Sequence, residues 1–348
     1  MKLIQLGSSV AVSAALTAAL MLAPLSVASA QDKTFVMKLS TATINDTQHE
    51  WMKRFAAAVE KDSGGRIKGE LYPASQLGAI PRQIEGTQFG SIQGWVGPPE
   101  FLVGVDERYE ALSAPGLFTS QEQDVRVLND PPVHNLMLGL GANKGLTGIA
   151  IMPTGPSSIV VRKEVHHLAD FKGMKMRVLA SPFQLEMIKR MDASPVAMSL
   201  GDVLPALQQG AIDGALGTMS VFVPLHYYDT SKFLVETGQP FVNVIVVMNK
   251  KWLEGLPADL QKIIHDDAAT VTTGVVPFAK DFYLGQRKLW AQQGGKLISL
   301  PADDQAAYLA KISSIGTDLS KNKPELAAAV KTVMDAVERS KVSVAQNK

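Results

Sequence analysis

Strand-like and helix-like segments alternate along both halves of this 348-residue chain. In the first half, residues 35–39 alternate as a strand, residues 46–61 carry apolar side chains at helical spacing, and residues 66–72 form a second strand-like run. The second half repeats the pattern, with a strand at 174–179 that runs into a helix at 182–190. This alternation predicts an α/β fold with largely parallel sheets covered by helices.

A local sequence echo supports two related halves. The segment Thr87–Gly97 aligns without gaps on Leu207–Gly217, and Gln, Gly, Ile, Gly and Gly recur at matching places. Each copy has the pattern of a helix, a terminating glycine and a strand. Two similar units could arise by chance, but two lobes of one architecture would have this appearance.

Further elements return late in the chain and suggest that each lobe is discontinuous. They are a strand at 242–249, a long helix at 258–293 whose pattern is interrupted at Gly274 and Pro277, a strand at 296–300, and two amphipathic helices at 303–320 and 324–341. A chain that crosses more than once between two lobes makes a hinge.

The first 30 residues have the three parts of a secretory signal. Lys2 is the charged start, residues 10–22 are an apolar core, and Ala28-Ser29-Ala30 is a small-residue cleavage site. A membrane anchor is the alternative, but polar residues and Pro24 interrupt the apolar run. We therefore expect cleavage at 1–30 and a periplasmic product.

Charge and cysteine content exclude several classes of function. The chain has 34 Lys and Arg against 33 Asp and Glu, so no basic surface for nucleic acid is indicated. It has no cysteine, which excludes disulfides, thiolate metal sites and cysteine nucleophiles.

Motifs for catalysis or metal binding are also missing from the sequence. His49-Glu50 begins like a zinc-binding HExxH helix but lacks the second histidine, and His166-His167 is more simply a solvated loop pair. We predict no metal, no cofactor and no enzymatic activity. An exported enzyme that uses Glu100, Asp202 or Asp213 as acid and base remains the alternative.

Arg177 is the strongest candidate for a binding residue. It lies near the carboxyl end of the strand at 174–179, which feeds a helix opened by Ser181-Pro182. Ligands of open α/β sheets bind at that edge, and a guanidinium group there can hold a carboxylate through two parallel hydrogen bonds. Many arginines at strand ends are merely solvated or paired with a neighbouring acid.

Several blocks of sequence in the same order resemble the solute-binding proteins of tripartite ATP-independent periplasmic (TRAP) transporters, the DctP family. These blocks are residues 49–55, Ser63-Gly64-Gly65-Arg66-Ile67, Tyr72-Pro73-Ala74-Ser75-Gln76-Leu77-Gly78, residues 170–178, residues 206–214, Tyr227-Tyr228-Asp229, Asn249-Lys250-Lys251-Trp252 and Leu256-Pro257. The match covers nearly the whole mature chain.

The resemblance implies a two-lobe periplasmic-binding-protein-like α/β clamshell with discontinuous lobes and a long bridging helix. The expected first lobe is 31–153 plus 243–282, and the second is 154–242 plus 283–348. It also implies a receptor that delivers an organic acid to a sodium-coupled membrane permease, with Arg177 bound to the ligand carboxylate. We expect a monomer or weak dimer. A receptor that feeds a sensor kinase is a further alternative.

The chain departs from better-known members of that family at three polar positions. Gly217 stands where many have a ligand-binding asparagine, Pro98 lies near an acidic contact, and Ser157-Ser158 lacks a second arginine. We therefore expect a monocarboxylate with an apolar or aromatic body, lying between Trp95 and the segment 216–222. The expected ligand-binding residues are Arg177, Trp95, Pro98, Glu100, Leu200, Gly217, Thr218, Phe222 and Gln239.

Overall fold

The computed structural model describes residues 34–345, with side chains as far as residue 341. The predicted signal peptide lies outside the described residues. The strands are β1 (Phe35–Ser40), β2 (Ile67–Tyr72), β3 (Gly94–Gly97), β4 (Leu146–Val161), β5 (Lys175–Val178), β6 (Ser194–Ala197), β7 (Gly214–Thr218), β8 (Phe233–Val235), β9 (Phe241–Asn249) and β10 (Lys296–Ile298).

The helices account for most of the remaining ordered chain. They are α1 (Thr47–Asp62), α2 (Ile80–Phe89), α3 (Gln121–Leu128), α4 (Pro131–Gly139), α5 (Pro182–Arg190), α6 (Leu200–Gln208), α7 (Met219–Phe222), α8 (Lys250–Glu254), α9 (Ala258–Gln292), α10 (Ala302–Ile312), α11 (Ile315–Ser320) and α12 (Pro324–Ala345). None of the helices in this part of the chain is long and apolar enough to cross a bilayer.

Two sheets share one long strand. The first has the order β2-β1-β3-β9-β4, and the second has the order β10-β8-β4-β7-β5-β6. Residues 146–156 of β4 pair with β9, whereas residues 157–161 pair with β7 and β8. The α/β prediction is confirmed, with β4 as the strand that passes from one sheet to the other.

The sheets are mixed, so the expectation of largely parallel sheets is wrong at their centre. β9 is antiparallel to both β3 and β4, and β4 is antiparallel to β7. The outer pairs, β1–β2 and β5–β6, are parallel as expected. Alternation predicts parallel neighbours only where a helix returns the chain on the same side. β9 instead lies antiparallel between β3 and β4, and β4 passes between the sheets.

In the region that forms β4, the sequence pattern alone indicates only a short strand, at 147–151. Pro153, Gly155 and Pro156 read as strand breakers. The structure accommodates them at an irregularity in the β4–β9 register between Pro153 and Gly155, where Gly155 has φ 124°. The long strand therefore continues through residues that normally end one.

Helix α9 runs without a break for 35 residues, through Gly274 and Pro277. It packs against α1 and β4 and also against α7 and β10, so it contacts elements of both sheets. The predicted bridging helix is confirmed. By contrast, the helix predicted at 303–320 is two helices, α10 and α11.

The sequence echo corresponds to two matching structural units. Helix α2 ends at Gly90 with φ 87°, and the segment after α6 turns at Gly210 with φ 71°. Strands β3 and β7 follow the two glycines. β3 ends at Gly97, and β7 ends at Thr218.

Candidate functional site

A cavity of about 540 Å³, counting its open mouth, lies where the ends of several strands meet. Gly97 at the end of β3, Arg177 near the end of β5 and Thr218 at the end of β7 all line it. The carboxyl ends of strands in an open α/β sheet are the usual position for a ligand. The remaining lining residues are mostly apolar and come from both sheets: Ala42, Thr43, Gln48, Ile80, Trp95, Val96, Pro98, Phe101, Thr154, Leu179, Leu200, Gly217, Val221, Phe222 and Val242.

Among the described residues, the guanidinium group of Arg177 is the only charged group that lines this cavity. Its Nε donates to the Met198 carbonyl at 3.0 Å, and its Nη1 donates to the Leu216 carbonyl at 2.8 Å. These bonds fix the plane of the side chain. Among residues 34–341, Nη2 has no hydrogen-bond partner and the side chain has no carboxylate within 4 Å.

Arg177 is buried without a partner anion among the described residues. Arg177 is only 2% exposed. Loss of hydration lowers the pKa of its guanidinium to about 10, with small opposing effects from Tyr227 and Glu100. Arg177 therefore stays charged at neutral pH. A buried cation in an apolar pocket is costly unless an anion approaches it, so the site favours a carboxylate.

Two aromatic rings occupy the space beside the cavity glycines. A Cβ atom added to Gly97 would overlap the six-membered ring of Trp95, and a Cβ atom at Gly217 would lie 2.8 Å from Cζ of Phe222. Contacts below 3.0 Å force one group to move. The glycines therefore do not enlarge the cavity, because the Trp95 and Phe222 rings fill the volume that side chains would take.

Polar atoms other than those of Arg177 are few in the cavity wall. Thr154 Oγ1 donates to the Val242 carbonyl at 2.7 Å and is already satisfied. Thr218 Oγ1 is buried without a partner among the described residues. Gln48 Oε1 accepts a hydrogen bond from Thr41 Oγ1 at 3.0 Å.

Seven of the nine predicted ligand-binding residues line this one cavity: Arg177, Trp95, Pro98, Leu200, Gly217, Thr218 and Phe222. Glu100 and Gln239 do not line it. The carboxylate Oε1 of Glu100 accepts a hydrogen bond from Gln184 Nε2 at 3.3 Å, and burial raises its pKa to about 7. Gln239 instead anchors the neighbouring loop, since its amide bonds to Gly116 N and to the Phe118 carbonyl.

Three polar lining residues were missed by sequence reasoning: Thr43, Gln48 and Thr154. Thr43 and Gln48 flank Asp46, the N-cap of α1, whose side chain accepts from His49 N. The capping residue marks only where α1 begins. Its position near the cavity becomes evident only once β1 is known to pair with β3. Thr154 lies in the part of β4 that the sequence did not predict as a strand.

The other acidic and histidine candidates lie away from the cavity. Asp213 accepts a hydrogen bond from Lys175 N at 2.8 Å, and Asp202 lies exposed in the first turn of α6. His167 Nδ1 lies 2.8 Å from an Asp304 oxygen on the surface. No cluster of three or more metal-ligating side chains occurs in the described part of the chain.

Comparisons with a family model and with individual proteins identify the same family. Residues 39–322 match the model of the bacterial extracellular solute-binding proteins, family 7, named DctP. A solute-binding protein of Verminephrobacter eiseniae is 30% identical over 69% of this chain and 71% of its own length. The C4-dicarboxylate-binding periplasmic protein DctP of Rhodobacter capsulatus is 26% identical over 85% of this chain and 90% of its own.

A solved structure shows the same fold. The TRAP periplasmic solute-binding protein of Desulfovibrio salexigens, determined with bound orotic acid, aligns with a TM-score of 0.82 at 23% identity, covering 89% of this chain and 100% of that one. Its fold has two lobes. This chain belongs to the bacterial extracellular solute-binding proteins of family 7, the DctP family, and has the two-lobe fold of TRAP periplasmic solute-binding proteins.

Proposed function

We propose that this protein is the extracytoplasmic receptor of a TRAP transporter and that it binds a monocarboxylate with an apolar or aromatic body. The observation that carries this proposal is the buried Arg177 guanidinium, which faces an otherwise uncharged cavity and has no anion partner among the described residues. A charge-assisted hydrogen bond contributes about 1.5–3 kcal/mol, whereas micromolar binding needs about 8 kcal/mol. Apolar contacts with the ligand body must supply most of the difference.

The aromatic walls support a flat ligand body. The rings of Trp95 and Phe222 replace the polar side chains that positions 97 and 217 could otherwise carry. Leu179, Leu200 and Val221 complete an apolar surface around Arg177. A planar acid buries both of its faces in such a cavity. Orotic acid, bound in the Desulfovibrio salexigens protein, is a planar ring with one carboxyl group, and it supports this choice.

The proposed lobes are 31–153 plus 243–282 and 154–242 plus 283–348. Cavity residues come from both, so a ligand that contacts both favours a closed form. Helix α12, assigned to the second lobe, packs against α3 and α4 of the first, which would tie the lobes together on that side. The partner we propose is a sodium-coupled membrane permease, and the leader at 1–30 would export the receptor to the periplasm.

Isothermal titration calorimetry of the mature protein tests the proposal. The ligands are benzoate, phenylacetate, hexanoate, succinate and a sugar acid such as gluconate. We expect aromatic or apolar monocarboxylates to bind best. Arg177→Ala should weaken that binding by about 10- to 150-fold, which corresponds to loss of one charge-assisted bond.

The matched control is Arg162→Ala, because Arg162 is an exposed arginine that does not line the cavity. Circular dichroism should show that both variants are folded. Equal affinity of wild type and Arg177→Ala would refute the assigned role of Arg177. Binding of succinate or gluconate alone would refute the proposed ligand class.

A further inference from the structure

We infer that Gln48, supported by Thr43 and Asp46, is a second ligand anchor that selects acids carrying a neutral hydroxyl group and rejects a second carboxylate. This inference rests on the proposed function, because it assumes that the ligand carboxylate is on Arg177. Gln48 and Thr43 line the same cavity as Arg177 but belong to α1 and to the loop before it, next to the first sheet.

The amide of Gln48 is held in place with its donors unused. Gln48 is the second residue of α1 and is only 3% exposed. Its Oε1 accepts from Thr41 Oγ1 at 3.0 Å, and Thr41 is itself fully buried. Within residues 34–341, no group accepts a hydrogen bond from Gln48 Nε2. Donors left unpaired in a buried wall destabilise it, so an acceptor on the ligand is favoured there.

Thr43 offers the complementary acceptor. Its hydroxyl donates to Asp46 Oδ1 at 2.8 Å, so its one hydrogen is used. Thr41 Oγ1 lies 3.3 Å from Thr43 Oγ1, but the Thr41 hydroxyl donates its hydrogen to Gln48. The lone pairs of Thr43 Oγ1 therefore stay available to a ligand. A ligand hydroxyl can therefore accept from Gln48 Nε2 and donate to Thr43 Oγ1. A carboxylate satisfies only the first of these two groups.

Asp46 makes a second negative charge unfavourable at this end of the cavity. It is 1% exposed, and its side chain accepts from Thr43 Oγ1 and from His49 N at 3.0 Å. No cation in the described residues pairs with it. Burial, partly offset by the hydrogen bonds that Asp46 accepts, raises its pKa to about 6, so most molecules carry a charge there at pH 7. A ligand carboxylate near Thr43 would be repelled.

Matched acids test the selectivity by calorimetry at pH 7.5. The two sets are benzoate, 4-hydroxybenzoate and terephthalate, and hexanoate, 6-hydroxyhexanoate and adipate. In at least one set, we expect the hydroxy acid to bind about tenfold tighter than the unsubstituted acid and the dicarboxylate to bind weakest. Gln48→Leu should make the hydroxy and unsubstituted acids bind equally.

Asp46→Asn separates charge from shape, since asparagine is also a good N-cap. This variant should strengthen dicarboxylate binding by about tenfold relative to the unsubstituted acid. The control for burial is Gln83→Leu, because Gln83 is fully buried in α2 and does not line the cavity. It should leave all ratios unchanged.

The outcomes are distinguishable. If Arg177→Ala weakens binding as expected but Gln48→Leu retains the wild-type preference for hydroxy acids, only the second anchor is wrong. The same holds if a dicarboxylate binds wild type more tightly than its hydroxy partner. If Arg177→Ala binds every acid like wild type, or if no acid in either set binds, the proposed function fails and this inference fails with it.

Discussion

Gly97 and Gly217 occupy matching places in the two echoed segments, and both decide what the cavity wall is made of. Each ends or nearly ends a strand that points into the cavity, and each has an aromatic ring where its own side chain would be. The resemblance implied that Gly217 replaces a polar contact with the ligand. In the structure, the Phe222 ring occupies the space where a side chain at 217 would lie.

Whether position 217 can carry a side chain therefore depends on the size of the side chain at position 222. Gly217→Ala should destabilise the protein by about 1–3 kcal/mol, because the added Cβ would lie 2.8 Å from Cζ of Phe222 and force the ring into the cavity. It should also weaken ligand binding. In the Phe222→Ala background, the same Gly217→Ala change should cost much less. Urea unfolding of the four proteins in this cycle measures the coupling.

The control is Gly201→Ala, which adds a Cβ where nothing lies within 4 Å. It should be neutral or slightly stabilising because alanine has the higher helix propensity. Purely additive effects of the changes at 217 and 222 would show that the two residues do not compete for space.

At the scale of elements, α9 is the clearest case of packing that overrides local pattern. Pro277 removes one backbone hydrogen bond from this helix, and Gly274 weakens it. The helix still continues because Val271, Val275 and Ala279 are buried against its neighbours. Arg54 Nη1 also donates to the Gly274 carbonyl at 3.0 Å. Stability gained from the buried face thus exceeds the cost of both residues.

The position of Gly274 leads to a testable contrast with Gly90. Gly274 lies inside a helix, and a Cβ there would meet nothing within 4 Å, so Gly274→Ala should stabilise the protein by about 0.5–1 kcal/mol. Gly90 ends α2 with φ 87°, so Gly90→Ala should destabilise it by about 1–2 kcal/mol. Urea unfolding measures both. Destabilisation by Gly274→Ala would mean that bending at this position is needed in the folded state.

At the scale of the whole molecule, four buried carboxyl groups link stability to pH. Burial raises the pKa of Asp46 to about 6, of Glu100 to about 7, and of Glu110 and Asp124 to about 8. In the unfolded chain these groups titrate near 3.8 to 4.5. Between those values and the folded pKa values, the native state holds protons that the unfolded state releases, so its stability is lost as the pH rises.

The free energy of unfolding should therefore fall as the pH is raised from about 5 to about 8. Each proton held only by the folded state contributes a slope of about 1.4 kcal/mol per pH unit. Asp124→Asn should reduce the slope, because it removes a fully buried carboxyl that no cation partners within the described residues. Urea titrations at pH 5, 6.5 and 8 give the slopes. Parallel curves for the two proteins would show that Asp124 does not titrate on unfolding.

Two of the four carboxyl groups that make stability depend on pH, Glu100 and Glu110, lie near the proposed ligand site. Glu110 accepts a hydrogen bond from Phe183 N at 2.6 Å, at the start of α5, and Glu100 feels the charge of Arg177. Arg177, Glu100 and α5 are thus parts of one buried polar region. Sequence periodicity did not predict this region, because Glu110 lies in a 3-10 helix of seven residues, Glu107–Ser113, which is too short to show a periodic pattern.

Much of this protein follows from local sequence. Hydrophobic periodicity predicted most strands and helices, and Ser181-Pro182 correctly marked the start of α5, where Ser181 Oγ accepts from Gln184 N. Arg177 near the end of β5 and Leu179 just after it both line the cavity, as side-chain alternation along an extended chain leads one to expect. These features depend on contacts within a few residues, which a sequence pattern records directly.

Only the tertiary structure decided the direction of β4 and β9, the absence of Glu100 and Gln239 from the cavity wall, and the presence of Gln48 and Thr43 in it. The tertiary structure also decided that Phe222 fills the space beside Gly217 and that Trp95 fills the space beside Gly97. Each depends on which distant segments lie side by side, and on volumes that both residues cannot occupy. The sequence thus determined that Arg177 would be at a strand end, and packing determined what surrounds it.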